Sequence, residues 1–308
     1  MKMSNTEKRC VVATIPVGTG PVGVAVDVHD HVFVTNSGDN TVLVIDALTN
    51  TVTATINVGL RPESVATDPQ FGVYVANGGF GTVSVIDRFN TVIATINVGG
   101  PPSILDPPSH VAGVAVDHFL SRAYVTSRSH HRVAVIGISG ELSTVAPDFI
   151  DVHGPLGVAV DSANHRVYVT QPDLNTVSVI DAATNGIIAT IPVRQHPMGI
   201  SIDSQRRRAY VANSGFKTVS VIDIVTGAVA DIEVGVRPIG VAVDSRGDAY
   251  ITHSDGTVKV IDAESSSVSA TIPVGSQPEG VAFEPHSNRV YVANRGDGTV
   301  SAIDLARS

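Results

Sequence analysis

The sequence contains no tryptophan, a single cysteine (Cys10) and only 16% charged residues in 308. With one thiol no intrachain disulfide can form, and the chain fits a reducing compartment without requiring one. Sparse charge and a formal net charge of −9 leave no positive field to hold a polyanion, so nucleic acid is not an expected partner. Stacking platforms for single strands are scarce too, because all six tyrosines fall at one repeated strand position. No apolar run is long enough to span a bilayer, and none follows the opening MKMSNTEKRC. A cytoplasmic location is therefore expected, or a secreted one if a leader has been removed. Helical periodicity is also missing, which excludes helical solenoids.

What the sequence does contain is one unit copied end to end. Residues 154–193 hold four short runs rich in β-branched and aromatic residues, separated by Asp, Ser, Asn, Gly and Pro clusters too short for a helix. The first run recurs as GVAVD at Gly23, SVATD at Ser64, GVAVD at Gly113 and Gly157, GISID at Gly199, GVAVD at Gly240 and GVAFE at Gly280. The steps between these starts are 41, 49, 44, 42, 41 and 40 residues. A four-stranded sheet cannot bury both faces alone, whereas seven in a closed ring can. The fold class is therefore all-β, a seven-bladed β-propeller of four-stranded antiparallel blades. Residues 1–9 read as a polar tail and 10–308 as one domain, with the fourth-strand sequence VVATIPVG near the start completing the last blade.

The repeated letters have physical reasons. Glycine and alanine in the first run suit the axis, where blades converge. One aromatic in every second strand (Phe33, Tyr74, Tyr124, Tyr168, Tyr210, Tyr250, Tyr291) fills the wider gap farther out. Proline in the fourth run (Pro16, Pro192, Pro273) is harmless at a sheet edge, so this run is outermost. Carboxylates end seven first runs and six third runs; that regularity assigns them to hairpin turns and not to catalysis.

The strings VYVTQ, VFVTN and VYVAN, followed by TVSVID and ATIPVG, resemble the YVTN family of β-propeller repeats over about residues 10–304. The resemblance implies seven blades. Its motif is structural and carries no catalytic residues to transfer, and streptogramin lyases, lactonases and extracellular repeat proteins share the architecture with different functions.

Function can be written where the copies differ on one loop face. Before each first strand the pattern is X-Pro-X, contributing Arg61, Glu63, His110, His196, Arg237, Gln277 and Glu279 from five blades, which symmetry would gather around the channel mouth. After the second strand a recurrent Asn bonds loop backbone, and Ser127 (with Arg128 beside it), Gln171 and His253 depart from it. We expect His110, His196, Glu63 and Glu279 to be the catalytic candidates and Arg61, Arg237, Gln277, Ser127, Arg128, Gln171 and His253 to bind ligand. The expected ligand is small and polar or anionic, with lyase, hydrolase or isomerase chemistry if the protein is an enzyme, acting as a monomer. The alternative is a non-catalytic scaffold whose loop face binds another protein. An enclosed cavity at the mouth distinguishes the first from the second.

Three further features carry less. The 49-residue step inserts a proline-stiffened segment at residues 99–112 beside the same mouth. His130 and His131 are adjacent and so point to opposite faces, without HxH or HxxxH spacing, and no metal is assigned; the cofactor is left open. The triplet Arg206, Arg207, Arg208 falls in a turn on the opposite face and reads as solvated.

Overall fold

A computed structural model of the protein describes residues 9–99, 111–138 and 147–305. Among these residues there are 28 strands in seven four-stranded antiparallel sheets. No helix there is long and apolar enough to cross a membrane. The innermost strands of blades one to seven are Pro21–Val26, Pro62–Asp68, Val111–Asp117, Val158–Asp161, Pro197–Asp203, Pro238–Val243 and Pro278–Glu284, and they touch in a closed ring. In the first six blades the chain meanders outward strand by strand. In the seventh the outermost place is taken by Cys10–Pro16, paired with Thr299–Asp304. The two ends of the fold thus share one sheet, as the sequence predicts.

Convergence at the axis explains the glycines. A Cβ added to Gly157 would lie 2.3 Å from the carbonyl oxygen of Met198 in the next blade, and one on Gly280 would lie 2.2 Å from that of Val22. No side chain fits between strands that close. Farther out, seven hydrophobic clusters fill the seven junctions between blades, each built from strands of two neighbouring blades. The second-strand aromatics lie within them, 0–3% exposed. Pro16, Pro192 and Pro273 end outermost strands, opposite Thr299, Thr176 and Thr257.

The repeated carboxylates close turns. Asp68 Oδ1 accepts the N–H groups of Gln70 and Phe71, Asp117 Oδ1 those of Phe119 and Leu120, and Asp87 Oδ1 those of Phe89 and Thr91. Backbone and Thr hydroxyl bonds hold Asp46 and Asp223 below the usual carboxylate range. Residues 1–8 and 100–110, including His110 and most of the insertion, lie outside the described residues. Arg9, assigned by sequence to the tail, is part of the folded body: its guanidinium lies 2.5 Å from Asp248 Oδ2 and 5.8 Å from the centre of the Tyr250 ring.

Candidate functional site

The channel mouth is built by one position of the repeat. The residue after each X-Pro (after His110-Val111 in the third blade), namely Val22, Glu63, Ala112, Leu156, Met198, Ile239 and Glu279, lines a funnel of about 310 Å³ together with the glycine and valine backbone below it. All seven blades contribute the same position, so the symmetry argument holds for this set. One half of the funnel wall is apolar (Leu156, Met198, Ile239), and the other carries the two carboxylates Glu63 and Glu279.

The threonine of the second strand places these carboxylates. Thr252 Oγ1 accepts the Gly240 N–H at 2.8 Å within its blade and donates to the Glu279 carbonyl in the next at 2.7 Å. Thr35 does the same for Glu63, from Gly23 at 2.8 Å to the Glu63 carbonyl at 3.4 Å. Thr126 and Thr170 hold the carbonyls of Leu156 and Met198. In blades two, five and seven alanine stands in place of threonine. The bridging threonines were not singled out from the sequence, although that Thr/Ala split between copies is visible in it.

The residue before each proline sits one step farther out. Arg61, His196 and Gln277 occupy left-handed backbone conformations, with φ of 51°, 57° and 51°, where Gly20 and Gly154 stand in other blades. Non-glycine residues there are uncommon, and such positions concentrate at functional sites. None of the three lines the funnel. Arg61 leans back on it, its Nη2 3.7 Å from Glu63 Oε1. His196 Nδ1 is hydrogen-bonded to Ser214 Oγ at 3.0 Å, away from the axis. Gln277 is exposed and offers its carbonyl to the Arg295 N–H. Arg237 is exposed at the rim, its Nη2 3.9 Å from the sulfur of Met198, and it has no carboxylate partner among the described residues.

Glu63 and Glu279 are both mostly shielded, their side chains 24% and 26% exposed. Burial pushes the Glu63 carboxyl above its ordinary range, Arg61 opposes this, and the nearby Glu279 charge adds to it. Glu279 is ion-paired with Arg295 Nη1 at 2.8 Å. Arg128 and His131 line a side cavity of about 450 Å³ that shares Glu63, Ala112 and Leu156 with the funnel, and Arg128 is paired there with Asp173 at 2.9 Å. His131 stacks on His153 with ring centres 4.5 Å apart and accepts the Gly154 N–H, whereas His130 is bonded to Ser127.

Ser127, Gln171 and His253 lie inside the blades, 0–4% exposed, and the structure does not bring them to the mouth. They stand in for the recurrent asparagine. Asn77 and Asn294 donate to paired hydroxyls of the next strand (Thr82 and Ser84, Thr299 and Ser301). Gln171 engages the matching pair with the roles reversed, its Oε1 accepting from the Thr176 and Ser178 hydroxyls. On the opposite face Asp30, Glu284 and His286 bring three ligand-type atoms within 4.8 Å. Glu284 is already committed to the N–H groups of His286 and Ser287, so this cluster is a salt-bridged turn.

No family model matches the chain, and no curated protein does. Among solved structures, it is similar to Kuenenia stuttgartiensis hydrazine synthase, at 20% identity and a TM-score of 0.80, covering 94% of this chain and 96% of that one. A streptogramin B lyase aligns at 14% identity with a TM-score of 0.80, covering 97% of each chain. A catalytically inactive histidine-to-alanine variant of virginiamycin B lyase from Staphylococcus aureus, solved with quinupristin, aligns at 14% identity and 0.78, covering 99% and 98%. These likenesses show the fold.

Proposed function

We propose that the protein binds a small polar molecule at the funnel mouth and moves a proton on it through Glu63, the step that lyases, hydrolases and isomerases share. The observation that carries this reading is Glu63 itself: a shielded carboxyl on the funnel wall whose burial favours its neutral form. A carboxyl brought nearer neutrality is a better general acid or base at working pH. Arg237, exposed and without a carboxylate partner among the described residues, is the anchor for an anionic group on the ligand, and Arg61 supports the Glu63 carboxyl. The mouth is an open funnel of about 310 Å³, at the lower end of ligand-pocket volumes and large enough for a small molecule. All seven ring positions come from one chain, so a monomer suffices. That lyases exist on this fold is consistent with the reading and does not by itself carry it.

The test is a binding screen of small carboxylic acids and lactones by ligand-observed NMR, followed by turnover assays on whatever binds. Arg237→Ala or Arg61→Ala should weaken binding at least tenfold with the fold intact, because neither side chain packs inside a blade. Glu63→Gln should keep binding and lower turnover on the order of 100-fold. Unchanged binding in both arginine variants would remove the funnel from consideration. The scaffold reading would then stand on Phe80, Leu174 and Phe216, which are 62%, 50% and 46% exposed on loops of the same face.

A further inference from the structure

Six of the seven junctions between blades are closed on the face opposite the funnel by one of two devices. At three of them the residue after the third strand of the incoming blade is alanine, and an arginine opening the neighbouring second strand clasps its carbonyl. Arg122 Nη1 reaches Ala182 O at 2.5 Å, Arg208 reaches Ala263 O at 2.6 Å, and Arg289 reaches Ala47 O at 2.8 Å. The Tyr291 hydroxyl joins the last of these at 3.1 Å. At three others a branched residue fills the same place, as Ile138, Ile224 and Leu305 pack into their clusters. Among the described residues, the junction between blades one and two has neither device.

Its three positions are His31, Phe33 and Arg88. His31 is drawn back to its own turn, Nδ1 3.0 Å from Asp27 Oδ2. Phe33 lacks the hydroxyl of the other six aromatics, and Arg88 is turned outward with its guanidinium 4.8 Å from the centre of the Phe89 ring. Among the described residues no clasp reaches across at this place, although Thr67 Oγ1 donates to the Val26 carbonyl at 2.7 Å nearer the axis, and a cleft of about 380 Å³ opens there. Its walls are the rings of Phe33, Phe71 and Phe89 with Val28 and Ile93. Phe89, Val28 and Ile93 are 72%, 51% and 50% exposed, an apolar rim that a bound ring would cover.

The polar groups have an opposite bias. Asp27, Asp68 and Asp87 border the cleft, but each gives Oδ1 to two backbone N–H groups of its own turn. Arg88 and His29 also border it, and among the described residues neither has an ion-pair partner. A planar guanidinium resting on an aromatic face presents its edge for two parallel bonds to a carboxylate. We propose that this cleft binds a small aromatic carboxylate of one or two rings, its ring against Phe71 and Phe89 and its carboxylate on Arg88. The site is independent of the funnel, which opens on the other face.

The experiment titrates the intact protein with 2-naphthoate and with the uncharged 2-naphthylmethanol by calorimetry. Naphthoate should bind at least tenfold more tightly than the alcohol, and Arg88→Ala should remove that difference. The triple variant His31→Arg, Phe33→Tyr, Arg88→Ala copies the junction of blades seven and one, so it should rebuild the clasp and abolish binding of both compounds. Should that variant misfold, Phe89→Ala at the exposed rim should weaken both at least fivefold. Absence of naphthoate binding, equal affinity for acid and alcohol, or survival of the preference in Arg88→Ala overturns the proposal. So does loss of naphthoate binding in Arg237→Ala, which would locate the acid in the funnel.

Discussion

His253 takes the place that Asn36, Asn77, Asn213 and Asn294 hold in other blades, and its burial has a measurable consequence. It is 0% exposed, its Nδ1–H donates to the Ile251 carbonyl at 2.9 Å, and its Nε2 has no hydrogen-bond partner among the described residues. Loss of solvation, with Lys259 nearby, pushes its pKa down from 6.5 to about 4. Below pH 6.5 the unfolded chain takes up a proton that the folded chain refuses until about pH 4. Stability is therefore whole above that window and falls as pH drops through it, by roughly 3 kcal/mol for this one group. Urea unfolding at about pH 7 and about pH 4.5 should show that His253→Asn loses less stability on acidification than the parent. An equal loss would mean that the imidazole is protonated inside the fold. In the sequence the same residue is a departure from the repeat, which is why it is expected there to bind ligand. Self-comparison finds where copies differ, but a surface ligand and a buried substitute differ from asparagine in the same way.

Strands were the most legible part of the chain, because each repeated letter answers to a local constraint. The glycine of the first run, the aromatic of the second, the turn carboxylates and the edge prolines all have the roles their positions imply. The X-Pro-X entry was half legible. Its two variable positions share one loop, and only the packed ring shows that the second faces the axis while the first sits farther out, on a left-handed backbone at Arg61, His196 and Gln277. The threonine bridge needed the neighbouring blade to be seen, since its acceptor is 27 to 30 residues away in the chain. The aromatic position gives the element its sharpest prediction. Tyr168 is 2% exposed among Ile200, Ala209, Val211 and Ile222 of the next blade, and burial pushes its phenol up to about 12. Tyr168→Ala should cost roughly 3–5 kcal/mol in denaturant unfolding, because the facing sheet is too rigid to collapse into the space. A cost under about 1 kcal/mol would mean the junction relaxes.

The closure of the ring depends on a strand contributed from the far end of the chain. Cys10–Pro16 pairs with Thr299–Asp304 from Cys10 opposite Asp304 to Pro16 opposite Thr299, with one irregularity between Val11 and Ala13. It buries Ile15 and, just beyond the strand, Val17, each 5% exposed, in the cluster that joins blades seven and one. Arg9 extends the same connection toward blade six, where the second strand opens at Ala249 without an arginine of its own. Removing the segment would therefore strip the outer edge from blade seven, loosen its contact with blade one and leave Asp248, whose carboxylate is 9% exposed, without its guanidinium. An unpaired edge and a buried unpaired charge each destabilise, and in a ring the damage reaches both neighbouring junctions. Deletion of residues 1–17 should lower Tm by on the order of 10 °C, a loss of several kcal/mol in a domain of this size. Supplying a synthetic peptide of residues 9–17 should recover part of that loss by refilling the edge. A deletion variant that melts with the parent would show that three strands suffice in the seventh blade and that the ring closes through the inner strands alone.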